Sequence, residues 1–195
     1  PIAEAAVTAP DSTAGLMDNI AKQVKIFQHQ NRRIAMAVAA RGDVSFMREH
    51  MANYLNDRDV MRVAVARAGD LFNSLSPDLR EDIEIVNAAL SGTTAANVLR
   101  SLSMTWKAAH PDVCIRAIQV THLLRETCNA IPARLWQNNR ELQLAWIRRG
   151  CRVLGIFQNQ IDAAMGLEIA EHAWRDFEQV PLRLRNDLEF MKQAI

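Results

Sequence analysis

The sequence predicts an all-α fold in which helical hairpins repeat and stack as a short α-solenoid, and three observations predict it. Apolar residues recur at helical spacing along most of the chain. The composition favours helix, with 29 alanines against 7 glycines and 6 prolines in 195 residues. One seven-residue pattern also returns six times.

Residues 1–14 (PIAEAAVTAPDSTA) are rich in Ala, Pro, Ser and Thr and lack periodicity, so they read as an extended N-terminal arm. Residues 1–11 are expected to lie in extended form on another surface, a neighbouring subunit by preference, since such termini fray unless tied down. From 15 to 195 the chain reads as one helical repeat domain. Leu16, Ile20, Val24, Phe27, Ile34 and Val38 form one apolar stripe, which predicts a long helix closing at Gly42. Val44, Met47, Met51 and Leu55 predict a second, shorter helix.

Beyond Asn56 the segments DVMRVAV, EIVNAAL, DVCIRAI, ELQLAWI, EIAEHAW and EFMKQAI align without gaps. Each opens on an acid (Asp59, Glu84, Asp112, Glu141, Glu168, Glu189), and these acids step by 25, 28, 29, 27 and 21 residues. An apolar residue follows at once and another returns five places later, with Ala before it in five of the six segments. The apolar and small positions share one helix face, where alanine admits a close neighbour. Asn56, Asn138 and Asn186 stand three residues before their acids, the spacing of a capping box, so the six acids are expected to cap helix starts. Gly42, Gly69, Gly92 and Gly150 are expected to end helices. AANVLRSL, THLLRETC and VLGIF are expected as second helices, for twelve to fourteen helices in all. The last segment supplies a first helix alone, so the final repeat is expected to be incomplete.

NDRDVMRVAVARAG (56–69), LREDIEIVNAAL (79–90) and LRNDLEFMKQAI (184–195) resemble a family of short bacterial and protist repeats of unknown function, whose unit reads roughly L-R-x-D-x-E-x-V-x-x-A-V-x-x-N-G. Ala68 departs from the usual asparagine, and the units near 110 and 166 lack the leading aspartate and the closing glycine. The resemblance implies stacked helical hairpins and no catalytic residues. It is similar to modules of secreted bacterial effectors and of large algal and protist proteins.

The residues themselves offer little chemistry. With 23 Lys+Arg against 22 Asp+Glu, the net charge of +1 gives no general attraction to nucleic acid or an anionic membrane. No run approaches the ~20 apolar residues of a membrane span. The first basic residue is Lys22, so no signal peptide is expected at this start. Cys114, Cys128 and Cys151 fit no C-x-x-C motif and read as free, mostly buried thiols, favouring a reducing compartment or organelle interior. His29, His50, His110, His122 and His172 have no metal-ligand spacing, and no phosphate loop, dinucleotide fingerprint or nucleophile elbow occurs, so no metal, cofactor or catalytic residue is expected.

The polar feature left over is Arg148, Arg149 and Arg152 with Trp146, around Gly150 at an expected helix end. It reads either as complement to the helix dipole or as a contact for an acidic partner. Trp106, Trp136, Trp146 and Trp174 read as core or inter-repeat wedges. The function expected is a non-catalytic protein–protein interaction scaffold or accessory subunit, organellar (photosynthetic or respiratory) in an alga or protist. Two alternatives are a secreted effector or adaptor that binds a host protein, and a nucleic-acid-binding helical repeat.

Overall fold

A computed structural model describes residues 32–91, 93–151, 155 and 158–195. The arm at 1–14, most of the expected first helix, Gly92, Arg152 and the helix expected at VLGIF lie outside them. Every regular element among the described residues is helical, fourteen α-helices and four 3₁₀ segments, so the fold is all-α. No helix there is long and apolar enough to cross a membrane. The described residues divide into two compact units, the first ending at Leu102 and the second beginning at Ser103.

In the first unit, α1 (Arg32–Arg41), α3 (Arg58–Arg67) and α5 (Ile83–Ala89) stack side by side, α3 on α1 and α5 on α3. Their contact face repeats. Val60, Met61, Ala64 and Val65 of α3 are buried, as are Ile85, Val86, Ala89 and Leu90 at α5 and Ile34, Ala35, Val38 and Ala39 of α1. Counted with the first helical residue as one, these are the third, fourth, seventh and eighth residues, two adjacent pairs one helical turn apart, which lie on a single face. Each large buried side chain contributes about 1.5–3 kcal/mol of transfer free energy, and the small Ala39, Ala64 and Ala89 let the axes approach.

Short helices and 3₁₀ segments connect the stacked helices. After α2 (Val44–His50) comes a 3₁₀ turn, Ala52–Tyr54. A longer 3₁₀ segment, Gly69–Ser74, buries Leu71 and Phe72 against α3, and α4 (Pro77–Arg80) leads into α5. The unit closes with α6 (Ala95–Ser101). Gly42 ends α1 at φ +73, as expected of a C-terminal glycine. Gly69 does not: Ala68 caps α3, and Gly69 instead makes room for Thr94, whose side-chain atoms would lie 2.6–2.7 Å from any added Cβ. Thr94 then donates its hydroxyl to Ala89 O at 2.7 Å, fastening the turn to the end of α5.

The second unit contains α7 (Met104–Ala109), α8 (Pro111–Val120), α9 (Leu124–Ala130), α10 (Ala133–Asn138), α11 (Arg140–Arg148), α12 (Ala163–His172), α13 (Leu182–Arg185) and α14 (Leu188–Ala194). Here α8, α11, α12 and α14 stack in succession. The same positions are buried: Val113, Cys114, Ala117 and Ile118 in α8, and Leu142, Gln143, Trp146 and Ile147 in α11. Gln143 is the polar exception, and its amide is satisfied by donating to Trp136 O at 2.5 Å and Gln160 Oε1 at 2.6 Å. In α12 the buried residues are Met165, Gly166 and Ile169, so the repeat register lies four residues earlier than the alignment on Glu168 placed it. Gly166 is required because an added Cβ would stand 2.9 Å from Phe190 Cζ, where α14 presses on α12.

Candidate interaction surface and the inter-repeat clamps

The helix starts show how the repeats are joined. Asp57 Oδ1 accepts from the backbone N–H of Asp59 and of Val60, both at 3.1 Å, and thereby caps α3. Asp82 does the same for α5, accepting from Glu84 N at 2.9 Å and Ile85 N at 3.2 Å. Asn139 accepts from Leu142 N, Asp162 from Met165 N, and Asp187 from Glu189 N and Phe190 N, each at 2.9–3.0 Å. The caps are therefore these residues, and the expected capping acids need correction. Asp59, Glu84, Asp112, Glu141 and Glu189 sit at the second helical position, and Asn56, Asn138 and Asn186 are not the caps. An acid there still faces the positive helix end, but it is the backbone amide of Asp59, Glu84 and Glu189, not the side chain, that enters the cap. Glu168 caps nothing, for it is the sixth residue of α12.

Both carboxylates at a helix start can receive an arginine from the preceding stacked helix. Arg32 of α1 reaches Asp57 at 2.8 Å and Asp59 at 2.5 Å. Arg58, the first residue of α3, reaches Asp82 at 2.5 Å and Glu84 at 3.2 Å. Arg140, the first residue of α11, pairs with Asp162, and Arg148 at the far end of α11 grips Glu168 with both Nε and Nη2. The guanidinium of Arg58 holds the Asp82 carboxyl below the usual carboxylate range; Arg32 does so for Asp57, Arg140 for Asp162 and Arg148 for Glu168. All four arginines are about half-exposed. These clamps fix which residues face each other across the stack more than they add stability. The sequence signal was present in the triplets Asp57-Arg58-Asp59, Asp82-Ile83-Glu84, Asn139-Arg140-Glu141 and Asp187-Leu188-Glu189: a cap, one residue, then an acid.

The arginine cluster is drawn largely into the fold. Arg148 is engaged by Glu168, and Arg149 donates from Nη2 to Thr121 O at 2.9 Å, tying the end of α11 to the end of α8. Trp146 is buried rather than displayed, with its ring edge-on to Trp136 at 5.5 Å and 75°. Of the four residues put forward for an acidic partner, Trp146 is thus core, Arg148 and Arg149 make internal bonds, and Arg152 is not among the described residues. Gly150 does end its helix in the left-handed region, φ +67.

Buried chemistry is inert in character. Burial pushes the Cys114 thiol up to about 12 and raises Cys128 and Cys151 as well; all three are free. Thiols so shifted are weak nucleophiles near neutral pH. Lys107 is buried, its ammonium donating to Ala130 O at 2.9 Å at the end of α9, and desolvation lowers its pKa.

Some large apolar side chains also remain on the surface. Trp106, Trp136 and Trp146 are buried as expected, but Trp174 is 56% exposed, stacked on Phe177 at 4.7 Å; Phe177 in turn stacks on Phe190 at 6.3 Å. Leu182 on α13 and Leu188 on α14 are 62% and 69% exposed, and Ile195 is also exposed. Leu188 occupies the position that Arg58 and Arg140 hold in their own triplets. Comparison with known proteins finds no match among family models, curated proteins or solved structures.

Proposed function

We propose that the chain is a non-catalytic protein–protein interaction scaffold, an accessory subunit of a larger assembly, which meets its partner through the apolar surface of α13 and α14. The observation that carries this reading is the exposure of Leu182 and Leu188 on two packed helices, whereas α8, α11 and α12 expose no large apolar side chain. Large apolar side chains left exposed on packed helices are candidate contact sites, and desolvated apolar cores surrounded by polar residues are the usual anatomy of such sites. Arg183, Glu189 and Lys192 are exposed around it and supply the polar rim. The resemblance to stacked-hairpin repeats agrees with the same reading, and the assembly proposed is an organellar one.

The test is the native size of the chain in its source. Expressed there with a tag, the unaltered chain is expected to migrate in a larger species of fixed composition. The double substitution Leu182→Glu/Leu188→Glu is expected to release it as a free chain with its helical content and Tm retained. A chain that runs free before any substitution, or an assembly that keeps the double variant, would overturn the proposal.

A further inference from the structure

We draw no further inference here: the strongest candidate, the half-buried Cys128 thiol of α9 and the buried Cys151 thiol after α11, rests only on the raised Cys128 pKa, which burial causes first and the Cys151 charge second.

Discussion

Replacing Asp82 separates two roles that one carboxylate performs. Its Oδ1 accepts two backbone N–H groups at the start of α5, while the same carboxylate holds Arg58 of α3. Asp82→Ala removes both, and loss of the cap alone is expected to cost about 0.5–2 kcal/mol. For a chain of this size about 1 kcal/mol moves Tm by roughly 2–4 °C, so a fall of about 1–8 °C is expected. Asp82→Asn retains an acceptor oxygen for the cap and loses only the charge, so it should fall between the parent and Asp82→Ala. Glu84→Ala keeps the backbone amide that the cap uses and gives up an exposed carboxylate near the helix dipole together with its ion pair to Arg58, a loss of about 0.3–1 kcal/mol. The pH dependence has a definite sign. Arg58 lowers the folded pKa of Asp82, so the ionised carboxylate stabilises the fold above the ordinary Asp value of about 3.9, and that contribution fades as pH falls through the lowered value. The gap between the parent and Asp82→Asn should therefore be full above about pH 5 and close in acid. Thermal unfolding followed by circular dichroism at a series of pH values checks all three variants. Glu84→Ala costing as much as Asp82→Ala, or Asp82→Asn as much as Asp82→Ala at neutral pH, would refute the assignment of the cap to Asp82.

The remaining expectations concern the stacked faces. Gly166→Ala should destabilise by about 1–3 kcal/mol, because the new methyl meets the Phe190 ring and Val180 at 2.9–3.3 Å; chemical denaturation measures it, and a neutral result would mean α14 moves freely on α12. Met61→Ala leaves a cavity at the fully buried α3 face and should cost about 2–5 kcal/mol in the same assay. In the native fold at pH 8, alkylation read by mass spectrometry should modify Cys128 ahead of Cys114, whose thiol burial holds near 12; equal rates would contradict its burial.

The fold was legible because the stacked face repeats in the sequence. Val60, Ile85, Val113 and Leu142 each open a pair that returns one turn later, and the alignment found them without knowing what they touched. Periodicity reports which face is buried, but it does not report where a helix begins. The start is fixed by an oxygen accepting from amides two and three residues on, and in α3 and α5 that acceptor is the aspartate two residues before the aligned acid. An alignment anchored on the acid could therefore be correct in spacing and wrong in chemistry. It failed outright at Glu168. Cap Asp162 has Ala164 rather than an acid two places later, so the pattern slid to the next acid along the helix.

That slip also bears on the candidate surface. Counting from Asp162 puts Met165, Gly166 and Ile169 in the stack and leaves Trp174 beyond the end of α12, in the 3₁₀ segment Trp174–Gln179. Trp174 thus never occupied the repeat position that made it read as core, and its exposure follows from the register instead of from a defect in packing. Leu188 reaches the surface by the opposite route. It stands in a correctly placed cap–residue–acid triplet, where Arg58 and Arg140 project a guanidinium toward the next helix of the stack. A leucine at that position has no charge to offer a neighbouring cap, so the proposed partner contact there would be drawn by burial of apolar area. Such contacts are weakly sensitive to salt, whereas the arginine clamps are exposed ion pairs that salt screens. Raising ionic strength should accordingly lower the Tm through the clamps while leaving the proposed association through Leu182 and Leu188 in place, which thermal unfolding and native size measured over a salt series would check.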